Sequence, residues 1–236
     1  MAANPWIRSL RASARDALFA AARPVSFRRG EMLYRSSDAT GTFYGLVDGF
    51  VKISTVRPDG LEAVLTIMEP GNWWGEMSMV DRLSRTHDAT AIDPVRLLAI
   101  GQPAFDALME QADFAQGIAS LLASRMRLLF AVFEDATLQS TPARIARRLL
   151  HLSRGDATLE AGRRPVVRVP QHVLATMLGI TRQTLSAELR AMAAAGAIAT
   201  GYGTIELVSL DALLALAGPP GGQSTPVGYR EMAAAP

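Results

Sequence analysis

The chain has 236 residues and a mass of 25.3 kDa, room for one large or two ordinary domains. It has no Cys, which removes disulfides, thiolate zinc sites, cysteine-ligated iron–sulfur clusters and Cys nucleophiles together, while 49% hydrophobic residues supply a core for each half. The formal charge of +2 is unevenly spread: residues 1–136 carry 14 basic and 16 acidic side chains and residues 137–217 carry 9 Arg and 5 acids, so the back half suits a polyanion.

In chain order, the stretch from Trp6 to Arg23 is Arg-studded and Ala-rich and lacks the uninterrupted apolar core of a secretory signal. No apolar run reaches the length needed to span a bilayer. The expectation is a cytoplasmic protein with no membrane partner. Ser13 and Asp16 have capping-box spacing, and a short helix carrying Leu18, Phe19 and Ala22 on one face should end at Pro24.

From Val25 to Ile100 short β-rich runs alternate with turn signals: Gly30-Glu31, Asp48-Gly49, Pro58-Asp59-Gly60, Pro70-Gly71 and Asp93-Pro94. Val51, Ile53 and Thr55, then Ala63, Leu65 and Ile67, recur at period two, which predicts a barrel or sandwich-like β domain. Pro103 opens a short helix with Phe105, Leu108 and Met109 on it.

A long helix is predicted from Asp113, its expected cap with Gln116 at the return position, to Leu138. Ala119, Leu122, Met126, Leu129, Phe133 and Ala136 recur at alternating three- and four-residue steps, a heptad seam. The parallel register of Ile118, Leu121, Arg125, Leu128, Val132 and Asp135 reads as the face turned to its own domain. The pattern suits either one buried helix of a single core or a dimerisation helix joining two domains.

Thr141 with Pro142 should start the next helix, with Ile145, Leu149 and Leu152 inward and Gly155 at its end; 156–168 reads as a loop with one strand. Helices are expected over 170–178 and 181–195, separated by Gly179 and stopped by Gly196, then a hairpin around Gly201-Tyr202-Gly203. The Pro/Gly-rich residues 218–236 read as a disordered tail.

Two constellations carry chemistry. The first is Gly75, Glu76, Met77, Ser78, Arg85 and Thr86. Small residues admit an anion to backbone amides, an Arg fork holds phosphate bidentately, a hydroxyl adds a donor, and a carboxylate accepts from a sugar hydroxyl. The set therefore fits a sugar phosphate, or else an ordinary turn with a surface Glu–Arg pair. The second is 171–195, shaped as a helix–turn–helix or a plain helical hairpin. Val173, Leu174 and Leu178 are apolar on its first helix; Leu185, Leu189 and Met192 are apolar on its second, which Thr181 caps. Arg182, Gln183 and Ser186 project from its first turns, and Arg and Gln suit guanine and adenine edges. An exposed Arg such as Arg163, if it meets only phosphate, would add affinity for any sequence equally.

The stretch Gly75-Glu76-Met77-Ser78 with Arg85-Thr86 resembles the phosphate cassette of cyclic-nucleotide-binding domains, and Gly30-Glu31-Met32-Leu33-Tyr34 and Tyr44 to Val51 resemble that domain's early β-roll signatures. Ile180 to Leu189 is similar to the recognition helix of the cyclic AMP receptor protein/FNR superfamily. The resemblance runs from Ala14 to about Leu216. It implies an α+β fold with a β-roll sensor over 1–112, a dimerisation helix over 113–138 and a winged helix–turn–helix over 139–217. It implies a bacterial homodimeric regulator, not an enzyme, that binds palindromic double-stranded DNA, with RNA polymerase as a partner if it activates. It needs no cofactor or metal beyond a possible allosteric cyclic nucleotide. Glu76 would take the ribose hydroxyl, Arg85 and Thr86 the cyclic phosphate, and Ile53, Met68 and Trp74 the pocket wall.

Departures are informative. His87 stands where the motif has Ala and Ser84 where Pro is common; His87 reads as a turn histidine without a ligand role. Leu129 and Phe130 replace the Thr-Ser pair that holds adenine in the cyclic AMP receptor protein, and Leu129 is placed at the ligand. Ala187 replaces a base-reading Arg, and Gln183 stands for a Glu. The alternatives are a cyclic dinucleotide or other effector, constitutive DNA binding, and, further off, a cyclic-nucleotide-regulated enzyme. No Ser/His/Asp, metal-spaced or paired-carboxylate set outside the sensor supports the enzyme.

Overall fold

The computed structural model describes residues 4–39, 41–155 and 164–218. Helix α1 (Pro5–Ser9) is capped by the Asn4 side chain, which accepts from the Trp6 and Ile7 amides at 2.8 and 3.3 Å. This helix escapes the sequence reading because one turn is too short to show a period. In α2 (Ala12–Ala21) the cap is Arg11, whose side chain makes no capping bond, so the expected Ser13–Asp16 box does not form; Ser13 already lies in the helix.

Eight strands follow: β1 (Arg23–Phe27), β2 (Met32–Tyr34), β3 (Thr42–Asp48), β4 (Val51–Val56), β5 (Glu62–Met68), β6 (Trp73–Trp74) and, after the short helix α3 (Glu76–Asp81), β7 (Asp88–Ala91) and β8 (Val95–Gly101). They form two antiparallel four-stranded sheets, ordered β1-β8-β3-β6 and β2-β7-β4-β5. Pro24 is tolerated inside β1 because that strand is an edge. Helix α4 (Gln102–Met109) carries Pro103 in its first turn and buries Phe105 and Leu108.

Helix α5 spans Ala112–Leu138, so Asp113 sits inside the first turn rather than capping it, where it pairs with Arg11 at 3.3 Å. The first half of α5 buries Phe114, Gly117, Ile118 and Leu121 against Ile7, Leu10, Leu18, Phe43, Trp73 and Phe105. Edge-to-face rings (Phe105–Phe114 at 5.7 Å, Trp6–Phe43 at 5.9 Å) order this core. Trp6 donates its Nε1–H to the Gly117 carbonyl at 2.8 Å, and a Cβ at Gly117 would collide with Leu10. The second half of α5 is different: Met126, Leu129, Phe130, Val132, Phe133 and Leu138 are all exposed. The packing divides the chain inside this helix, between Ser124 and Arg125. The expectation that no stretch could cross a bilayer is corrected, since α5 is long and apolar enough by length and composition. Its large apolar residues divide along the helix: most of those of the first half are buried in the β domain's core, and most of those of the second half, Val132 of the register expected to face its own domain included, are exposed.

The second unit continues with α6 (Thr141–Ser153), β9 (Val166–Arg168), α7 (Gln171–Leu178), α8 (Arg182–Ala194), β10 (Ile198–Gly201), β11 (Thr204–Leu207) and α9 (Leu210–Ala217). The cap of α6 is Ser140, whose hydroxyl accepts from the Ala143 amide at 3.4 Å, one residue before the expected Thr141. Ile145, Leu149 and Leu152 face inward as their spacing requires. The three strands form an antiparallel sheet ordered β10-β11-β9. The loop over 156–163, Arg163 within it, and the tail over 219–236 lie outside the described residues.

Candidate anion-binding cassette and nucleic-acid interface

Gly75 is the left-handed N-cap of α3, with φ +97°. A Cβ there would sit 2.5 Å from the Thr42 carbonyl oxygen and 2.7 Å from Arg85 Nη1, so both conformation and space demand Gly. The reason for the crowding is Arg85. Its Nη1 donates to the Gly75 carbonyl at 3.1 Å and its Nη2 to the Thr42 carbonyl. Its guanidinium also lies 4.3 Å from the Tyr34 ring centroid. Tyr34 stacks on Tyr44 at 6.0 Å, and Tyr44 on Trp74 at 5.6 Å, so a ladder of three rings ends on the cation. Burial pushes the Tyr34 phenol up to about 12, against the pull of Arg85.

Arg85 is 5% exposed and its Nε has no hydrogen-bond partner. A guanidinium has five N–H donors, so donor capacity remains after both carbonyls are served. Glu76 is fully buried and Ser78 nearly so, whereas Met77 is half exposed. Thr86 is exposed, and its hydroxyl lies 2.7 Å from His87 Nδ1. The Arg85 amide donates to the Asp38 carbonyl and its carbonyl accepts from the Ser37 amide, which ties the cassette to the turn after β2. Ile53, Met68 and Trp74 are buried in the same unit.

Gly75, Glu76, Met77, Ser78, Arg85 and Thr86 thus come together, while Leu129 lies in the second unit and is 67% exposed. The sequence reading missed Tyr34 and Thr42 as partners of Arg85. No spacing could have found them, because Thr42 is 43 residues away and its contact is a backbone carbonyl.

In the second unit Gly179 ends α7 with φ +64°, the left-handed step that a tight helix–turn–helix requires. The Thr181 hydroxyl then caps α8 by accepting from the Thr184 amide at 3.1 Å. Leu185, Leu189 and Met192 are buried, while Arg182 and Gln183, in the first turn of α8, are exposed. Ser186 is half-buried and Ala187 exposed. Tyr202, at the tip of the β10–β11 hairpin, is fully exposed.

Comparison with known proteins agrees with both halves. Residues 24–112 match the family described as the cyclic nucleotide-binding domain, and residues 143–216 match the Crp-like helix-turn-helix domain. A Mycobacterium tuberculosis protein named CRP-like cAMP-activated global transcriptional regulator is 31% identical over 179 residues, covering 75% of this chain and 80% of that protein. The Thermus thermophilus protein named Cyclic AMP receptor protein is 29% identical over 182 residues, covering 77% of this chain and 82% of its own length. A solved structure of a CRP-family transcriptional regulator from Thermus thermophilus superposes with a TM-score of 0.66 at 28% identity, over 83% of this chain and 97% of that one.

Proposed function

The chain belongs to the Crp/Fnr superfamily of DNA-binding transcription regulators, and from that premise we propose that it binds a cyclic nucleotide in the 75–86 cassette and palindromic DNA through α8 as a homodimer. The observation that carries the ligand half is Arg85: a buried cation, fixed by two carbonyls and a ring, that keeps a donor without a partner. A buried donor left unmatched is costly, and a phosphate oxygen would satisfy it. Glu76 would accept from a ribose hydroxyl, Ser78 and Thr86 would add donors to the phosphate, and Leu129 would offer an apolar contact. The division into sensor (1–112), helix (113–138) and DNA-binding part (139–217) belongs to the same proposal. So do a cytoplasmic location, the absence of catalysis, and an encounter with RNA polymerase if the protein activates.

Ligand would act by shifting a population: packing of the paired α5 helices changes, and with it the separation of two recognition helices, which read DNA when about 34 Å apart. An effector other than cyclic AMP is the second reading, supported by the apolar Leu129 and Phe130 in place of two hydroxyls.

Calorimetry with cyclic AMP, cyclic GMP and a cyclic dinucleotide tests both readings. Arg85→Leu should weaken the bound nucleotide by about 1.5–3 kcal/mol, the range for a charged hydrogen bond. Arg85→Lys, which keeps the charge but loses the planar fork, should fall between. Equal affinity across all three proteins would place the ligand elsewhere.

On the DNA side, Arg182→Ala should reduce discrimination between the operator and a shuffled duplex by roughly 1–3 kcal/mol, the value of one bidentate base pair contact. Arg190→Ala, on an exposed Arg two turns along α8, should weaken both duplexes equally and lower the salt slope. Mobility shifts at two salt concentrations measure this; an equal loss on both duplexes for Arg182→Ala would make that residue a positioning contact.

A further inference from the structure

We infer that His87 belongs to the ligand-holding set of the cassette and takes up a proton when an anion binds, acting through the Thr86 hydroxyl. The inference rests on the cyclic-nucleotide reading above and adds a residue and a proton to it.

Thr86 Oγ1 and His87 Nδ1 are 2.7 Å apart, a full hydrogen bond between neighbours. A neutral imidazole protonated only on Nε2 has no proton to give at Nδ1. Thr86 must then donate to His87, and its oxygen offers an incoming phosphate nothing but lone pairs. With a proton on Nδ1 the bond reverses. His87 donates, Thr86 accepts, and the Thr86 proton is free for a phosphate oxygen. An anion at Thr86 therefore selects the form with Nδ1 protonated, and among those forms the imidazolium adds a favourable charge.

The surroundings set the window. Half-buried His87 is pushed below its ordinary value by burial, while Asp88 pulls the other way. The Asp88 carboxylate accepts from the Ser36 amide at 2.7 Å. In the turn facing it, Asp38 accepts from the Arg35 amide at 2.8 Å, and the Ser36 hydroxyl reaches the Thr86 carbonyl at 3.4 Å. Arg85 sends its guanidinium to Thr42 and Gly75. Asp88 is thus the charge that acts on His87 in the free protein, and a bound anion would be the second. Binding raises the His87 pKa, so by linkage affinity rises as pH falls from the raised bound value through the lowered free one.

The test is calorimetry of the full chain with cyclic AMP and cyclic GMP between pH 5.5 and 8.0, in two buffers of different ionisation enthalpy. The phosphodiester keeps its charge over that range, so the profile reports the protein. The wild-type protein should take up a fraction of a proton and bind roughly three- to tenfold tighter at the acid end, tenfold corresponding to one pKa unit. His87→Ala should bind without uptake, with a flatter profile, and tighter than wild type at pH 8.0 because Thr86 is released. Thr86→Val should lose both affinity and uptake. Imidazole ¹⁵N shifts in the free protein should show an unprotonated Nδ1 at pH 8.0. A wild-type profile that matches His87→Ala, with no buffer-dependent heat, overturns this inference and leaves the cyclic-nucleotide reading standing. No binding by either protein at any pH overturns both.

Discussion

Leu129→Glu combined with Phe133→Glu should give monomers of 25.3 kDa where the proposed homodimer has twice that mass, read by light scattering. Met126, Leu129 and Phe133 lie on one stripe of α5 and are 59%, 67% and 68% exposed. Three large apolar side chains at heptad spacing on a single exposed face are the pattern that a second helix covers. Carboxylates on both copies would meet like charges in a desolvated seam, which costs several kcal/mol. The same exposure makes the test clean, because neither side chain supports the fold of its own chain, and thermal unfolding should hardly move. Leu122 belongs to the same heptad series but is a poorer choice, since it packs against the Phe105–Phe114 core. A Glu there would confuse unfolding with dissociation. A dimer that survives the double substitution would put the interface elsewhere.

Arg147→Met should destabilise the second unit by about 3–5 kcal/mol at pH 7, the cost of stripping one partner from a buried ion pair. Arg147 joins three helices: Nη1 lies 2.8 Å from Asp135 Oδ1 at the end of α5, and Nε donates to the Ala217 carbonyl of α9 at 2.8 Å. Both side chains are largely buried, at 7% and 16% exposure. Burial holds the Asp135 carboxyl above its ordinary value, and Arg147 opposes that push. A raised carboxyl pKa means that the ionised form is tolerated less well in the fold than in the open chain. Asp135 therefore subtracts stability at neutral pH, and the deficit fades as pH falls through the folded value. Without Arg147 the deficit deepens and its window moves upward. Urea unfolding at pH 7 and pH 5 should show the variant closer to wild type at the acid pH. Adding Asp135→Asn should recover part of the loss. A variant that is equally destabilised at both pH values would show that Arg147 matters for packing and not for charge.

Arrangements among residues close together in the chain were legible from their order alone. The Thr181 cap, the inward Leu185, Leu189 and Met192, the outward Gln183 and the heptad of α5 depend only on helical period and nearest-neighbour bonds, which any chain with that order of residues meets. The caps of α6 and α8 were legible to within a residue. Ser140 and Thr141 can each accept from a first-turn amide, and only the path of the chain chose Ser140. At Ser13 the path chose neither partner of the box.

The order of residues therefore specified which of them could make a cassette, a seam and a reading helix. Folding decided what each of them touches. Arg85 was readable as a candidate phosphate cation from its distance to Glu76, yet its bonds to the Thr42 and Gly75 carbonyls, and its place over Tyr34, come from antiparallel pairing of strands far apart in the chain. Trp6 meets Gly117 across 111 residues for the same kind of reason. Backbone carbonyls have no residue identity, so a sequence cannot announce which of them will receive a guanidinium or an indole. Only the tertiary path brings that oxygen to the donor, and burial there makes the bond matter.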